Sequence, residues 1–301
     1  MPSPGYRTIE CETAADLWEI LSPKNELWTG SGKYIYRGQG DASWGLVPSV
    51  LREKSIVRSF IPPGLLKTDM ELFAEMRLLQ VFVEQCDSMG LRIPGDSIKV
   101  RRRLDTNTPE GDFFLKYPSR WPFADMIDLM ALAQHHKIHT RLLDWTKRSF
   151  VAAYFAASEV LRWETDRRDK TNLAIWALDS SRFQDKQPDD ALPRGGLYPH
   201  ISLVHAPGAT SPNLAAQAGL FTLLKERGPA KGPVESRALE DEFISAPDSP
   251  LIKITLKAIH APSVLLLCNE YWINAATLYP GYDGAGLAVF EAIKTWPSMP
   301  P

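Results

Sequence analysis

The chain has 301 residues, 44% hydrophobic and 23% charged, which excludes a disordered polymer and leaves enough apolar side chains for a sizeable core. Lys and Arg total 34 against 36 Asp and Glu, a net charge of -2 that gives no global attraction to nucleic acid or anionic membrane. Cys11, Cys86 and Cys268 are odd in number with no Cys-x-x-Cys pair, the N-terminus has no secretory pattern and no apolar run could span a bilayer, so a cytoplasmic location is expected, without disulfides, zinc or membrane contact.

Residues 1–29 read as a helical lead-in, with Thr13 as N-cap of AADLWEIL. KYIYRG is β-rich and predicts a strand that ends in the GQGD turn and delivers Arg37 to the strand's end. Residues 43–52 are punctuated by Gly and Pro and read as irregular, whereas Leu72, Met76, Leu79, Phe82 and Val83 predict a helix from Thr68 to about Met89. The segment at about 90–122, with KVRRR and several Pro and Gly, reads as a helix start and a long surface excursion, an inserted or irregular segment.

A helix over Asp125 to Gln134 leads into QHHKIHTRLLDWT at 134–146, and Val151, Tyr154, Phe155, Ser158 and Leu161 predict a second helix directly after it. NLAIWALD alternates as a strand, and a charged loop runs to Pro193. LFTLL at 220–224, LIKITL at 251–256 and SVLLLC at 263–268 are further strand candidates, with GPAKGP at 228–233 as a loop. A short helix before Pro280 and a closing helix over GAGLAVFEAIK complete the chain. Helices early and strands late predict an α+β fold, a mostly antiparallel central sheet flanked by helices.

The histidines invite a metal reading, since His135 and His139 would share one helix face as in zinc proteases. The intervening glutamate is missing and only Asp144 stands nearby, so no metal is expected. Arg141 and Asp144 flank two leucines and read as a charge pair under Trp145, either a satisfied structural knot or a pocket wall. Arg37, beside Gly38 and Gly40, could meet a phosphate or carboxylate closely; a plain surface arginine is the alternative. KVRRR reads as a solvated face, with nucleic acid the less favoured partner. Without GxSxG, GxxxxGK[ST] or GxGxxG, serine-hydrolase, P-loop and Rossmann chemistry are disfavoured.

YIYRGQGDASWGLVPSVLR and LAQHHKIHTRLLDWTKRSFVAAYFA together resemble the FRG domain, a family named for its aromatic-Arg-Gly motif. NLAAQAGLFTL and INAATLYPGYDGAG resemble later segments of the family, so the likeness runs from roughly residue 30 to 290 and implies one FRG-type domain over 30–301. Lys137 replaces the family's usual glycine and His139 its proline; a glycine there would permit a left-handed turn.

A weaker resemblance, to ADP-ribosyltransferases, implies a pocket for NAD or a similar nucleotide. On that likeness Arg37 would grip the pyrophosphate or ribose edge, with Gly38 and Gln39 beside it. His136, Thr140 and Arg141 would line the pocket and Asp144 would orient them. Tyr154 or the His135/His136 pair would fill the middle position, and Asn213 and Gln217 would contact the ribose or acceptor. Gln217 stands where those enzymes carry glutamate, so the stabilising carboxylate would come from Asp144, Glu242 or Glu291. Arg37, His136, Asp144 and Gln217 form the expected catalytic set. The resemblance implies a toxin or anti-phage effector with a macromolecular acceptor; the rival readings are a non-catalytic binding or sensing module and a nuclease using the histidines and Asp144.

Overall fold

The computed structural model describes residues 5–28, 33–59, 61–62, 67–183, 200–205, 212–226, 231–232, 238–244, 246 and 248–295. Seven strands are formed among them: β1 (Arg7–Cys11), β2 (Tyr34–Gln39), β3 (Leu142–Thr146), β4 (Asn172–Asp179), β5 (Ile201–Val204), β6 (Gly219–Leu224) and β7 (Leu251–Lys257). The helices are α1 (Ala14–Leu21), α2 (Ile56–Ser59), α3 (Thr68–Ser88), α4 (Ile98–Leu104), α5 (Pro109–Lys116), α6 (Ile127–His135), α7 (Ser149–Val160), α8 (Thr165–Lys170), α9 (Pro212–Ala216), α10 (Ala261–Glu270), α11 (Ala275–Leu278) and α12 (Tyr282–Thr295). None of these helices is long and apolar enough to cross a membrane.

The strands form one open sheet in the order β1-β7-β4-β2-β3-β6-β5. Only β1 with β7 is parallel; the other pairings are antiparallel, so the expected α+β class with a mostly antiparallel sheet is observed. β4 is an interior strand, between β7 and β2, and is buried on both faces, because its period-two alternation feeds two different cores. Leu173, Ile175 and Ala177 pack against α1, α7 and α10, whereas Ala174, Trp176 and Leu178 pack on the opposite face with Ile35, Trp145 and Phe243. A separate helical layer from α3 to α6 covers Leu142 of β3 and Phe221 and Leu223 of β6. Two helical layers therefore cover different parts of the sheet.

Several expectations need correction. SVLLLC lies in α10, not in a strand: Ala261, Val264, Leu265 and Cys268 bury one helical stripe, and a short apolar run fits either period. Residues 90–122 are not a surface excursion, since α4 and α5 contribute Val100, Leu104 and Phe114 to the core beside Trp121. KVRRR is a solvated face as expected, with Lys99, Arg101 and Arg102 exposed, and its charges are paired there: Lys99 and Arg103 with Asp125, Arg101 with Asp87 and Asp96, and Arg102 with Glu110. The N-terminal segment supplies a strand as well as α1, whose Thr13 capping box forms as expected. β1, β3 and β5 complete the sheet, so strands and helices interleave instead of segregating along the chain. The loop to Pro193 and most of GPAKGP lie outside the described residues.

Candidate functional site

The site begins where the sheet opens. β2 and β3 are neighbours, yet their ladder holds a single registered pair, Tyr36 with Thr146. Beyond it the strands part, and a backbone carbonyl left by the ladder needs another donor. Arg37 provides one: its Nη1 donates to the Asp144 carbonyl at 2.9 Å and lies 3.5 Å from Asp144 Oδ2. Burial pushes the Arg37 guanidinium below its ordinary value, while Asp144 acts in the opposite direction.

On one side of the gap, α6 ends at His135, and the chain reverses through Lys137 at φ 67°. The turn is closed by Ile138 N–H donating to the Ala133 carbonyl at 3.0 Å, so Lys137 adopts the left-handed conformation that a glycine would take freely. The reversal brings Thr140 back beneath Gln134. Thr140 Oγ1 donates to Gln134 Oε1, and Gln134 Nε2 donates to Asp144 Oδ1 at 2.6 Å. A buried hydroxyl thus fixes an amide, which fixes a carboxylate.

On the other side stands α7. It packs directly on β2 because residue 38 is glycine; a Cβ there would lie 1.9 Å from the Ala152 carbonyl oxygen. This close approach aims Phe155, Ser158, Glu159 and Arg162 toward the gap, positions that share one helical face. Glu159 Oε2 accepts the Gly40 N–H at 3.0 Å. The far end is closed by Gln217 and Tyr279: Thr146 Oγ1 donates to the Gln217 carbonyl at 2.7 Å, and Gln217 Nε2 donates to the Leu278 carbonyl at 3.1 Å.

These walls enclose a cleft of about 420 Å³, within the range of small-molecule sites. Its lining includes Arg37, Gly38, Gln134, His135, Asp144, Phe155, Glu159, Arg162, Gln217 and Tyr279. Burial, and secondarily His136, hold the His135 imidazole below its ordinary value, which favours its neutral form. The cleft therefore combines two carboxylates, two guanidiniums, amides and aromatic rings.

Four of the expected site residues, Arg37, Gly38, Asp144 and Gln217, meet in this cleft. Others are placed elsewhere. His136 faces Phe82, ring centroids 6.3 Å apart, and it is His135 that enters the cleft. Gln39 is buried, accepting from Trp176 Nε1 at 2.7 Å. Tyr154 is buried under α12, donating to Glu291 Oε1 at 2.6 Å. That contact also removes Glu291 from the candidates for a cleft carboxylate, and Glu242 sits on the 239–243 turn outside the lining. Thr140 lies behind the wall, and Asn213 Nδ2 is 3.2 Å from His135 Nε2, touching the lining from outside.

The expected Arg141–Asp144 pair does not form. Arg141 and Asp144 lie on opposite faces of the strand entry, and Arg141 turns into the core, where its Nε donates to Glu75 Oε2 at 2.7 Å. Nor do His135 and His139 share a helix face, since α6 ends at His135 and His139 Nδ1 lies 3.2 Å from Ser55 Oγ. Among the described residues no group of three or more His, Cys, Asp or Glu side chains is arranged to hold a metal. Sequence reasoning missed Glu159, Arg162 and Phe155, although their spacing on a predicted helix was a usable signal once Gly38 is known to seat that helix on the strand.

Comparison with known proteins gives one family match, the FRG domain, over residues 32–164. No curated protein matches the chain. No solved structure matches it either. The matched span runs from just before β2 to just after α7 and stops well short of the 290 expected from sequence, leaving Gln217 and Tyr279 outside it. It nevertheless contains both strands that part at the cleft and both helices that wall it, and so the chain carries an FRG domain at 32–164 that supplies most of the candidate site.

Proposed function

We propose that the cleft is a nucleotide-binding site, with NAD or a related nucleotide as its ligand, and that residues 30–301 act as one unit in forming it. The observation that carries this reading is the convergence of Arg37, the 134–144 segment and Gln217, distant in sequence, on one cleft that also presents aromatic faces and ionised side chains. Glu159 and Asp144 are the carboxylates available to a developing positive charge, so the missing late glutamate does not by itself argue against ADP-ribosyl transfer. Action as a cytoplasmic toxin or anti-phage effector on a macromolecular acceptor belongs to the same reading; the three buried free cysteines accord with a reducing compartment.

Isothermal titration with NAD and related nucleotides tests the binding, and nicotinamide release tests turnover. Saturable binding weakened by Arg37→Ala is the expected outcome; no binding to the wild type would overturn the reading.

A second reading, a non-catalytic module whose motif residues form a structural network, is favoured by the burial of Thr140, Arg141 and Gln39 in satisfied polar contacts. It predicts that Asp144→Ala lowers the melting temperature by many degrees; the nucleotide reading predicts near-native melting with lost binding.

A further inference from the structure

Three groups able to carry positive charge line the cleft: Arg37, His135 and Arg162. Charge pairing with an anionic ligand falls to one of them, and the geometry separates the three. Arg37 is largely buried and already engaged by Asp144, with Nη1 on its carbonyl and 3.5 Å from its Oδ2. One arm of its fork braces the gap between β2 and β3. His135 has its Nε2 3.2 Å from Asn213 Nδ2, and burial disfavours its charged form.

Arg162 differs on each count. It is exposed, it borders the cleft, and its side chain makes no hydrogen bond or ion pair among the described residues. It lies just past the end of α7, on the face that carries Phe155 and Glu159. A guanidinium with a free planar fork is suited to bidentate contact with phosphate oxygens. Phe155 and Tyr279, on the same lining, offer ring surface to a flat, uncharged moiety.

We propose that Arg162, not Arg37, is the phosphate-binding residue of the cleft, that the ligand is a phosphorylated nucleoside, and that Arg37 is a positioning residue that holds Asp144 in the wall. The proposal rests on the nucleotide reading above and assigns its anion contact.

Titration calorimetry with adenosine and AMP measures what the phosphate adds to binding. AMP is expected to bind wild type about tenfold or more tightly than adenosine. Arg162→Ala, an exposed change whose fold circular dichroism checks, is expected to abolish that increment while adenosine affinity holds. Arg37→Lys is expected to weaken both ligands and keep the increment. The assignment is overturned if the increment survives in Arg162→Ala, or if Arg162→Ala weakens adenosine as much as AMP.

If wild type binds neither ligand, the nucleotide reading itself fails, and inorganic pyrophosphate then judges Arg162 alone. A pyrophosphate-induced shift of the Arg162 Nε resonance supports the anion contact; its absence overturns it.

Discussion

Arg141 and Glu75 form an ion pair in which both side chains are almost wholly buried, joining the start of β3 to the middle of α3. The Arg141 backbone N–H also donates to Glu75 Oε1 at 3.3 Å, so the carboxylate is satisfied from two directions. Glu71 and Arg58 continue the network at the same helix, with Arg58 Nε donating to Glu71 Oε1 at 3.1 Å. The pair locates the helical layer that forms one side of the cleft, without taking part in the cleft.

Removing one member leaves an uncompensated charge in the core. Arg141→Met is expected to destabilise the protein by about 3–5 kcal/mol, whereas Glu75→Leu with Arg141→Met should recover most of that loss. Chemical denaturation of the two single variants and the double variant measures the coupling. A near-neutral Arg141→Met would show that the pair is solvated in solution.

Gly38 is required by packing. Its Cβ in Gly38→Ala would meet the Ala152 carbonyl oxygen at 1.9 Å and the Ala156 nitrogen at 2.7 Å, both backbone atoms that cannot rotate away. Separation of α7 from β2 should cost about 3 kcal/mol or more, read as a lower denaturation midpoint. Because α7 carries Glu159 and Phe155, ligand binding should fall with it. Wild-type stability in this variant would refute the packing argument.

Lys137 sits at φ 67°, exposed, with no side-chain role in closing its turn. Lys137→Gly removes the left-handed penalty of a side-chain-bearing residue, partly offset by the greater freedom of glycine in the unfolded chain. A net gain of about 0.5–1 kcal/mol is expected, seen as a raised melting temperature. Destabilisation instead would mean that the turn relaxes out of the left-handed region.

Glu291 gives a pH-dependent test. Burial raises its carboxyl above the ordinary glutamate value, against the opposing effect of the Tyr154 hydrogen bond. A raised folded-state value means that the stabilisation is fully present below the unfolded value and is lost as pH rises through the folded one. Glu291→Gln keeps an acceptor for Tyr154 and removes the charge. Its stability relative to wild type should therefore improve above the raised value, and the relative gain should vanish in acid. Unfolding measured from about pH 3 to pH 8 follows the difference; a flat profile would contradict the burial effect.

Local sequence alone determined the long helix α3, the helix α7 after the motif, the strands β2, β4, β6 and β7, and the FRG motif that marks the site, because each is written in nearest-neighbour periodicity or in a contiguous pattern. It could not assign SVLLLC, where a six-residue apolar run suits a strand and a buried helix equally, nor β1, an edge strand of mostly polar residues. Within the motif it identified the residues but not their directions. Thr140, Arg141 and Asp144 stand close together in the chain, yet one braces Gln134, one pairs with Glu75 and one faces the cleft. Those directions depend on partners at positions 75 and 37, and on a sheet that parts between β2 and β3, so only the tertiary structure could decide them. Glu159 and Arg162 became site residues for the same reason: a helix face has no function until the strand beneath it, through Gly38, sets where it points.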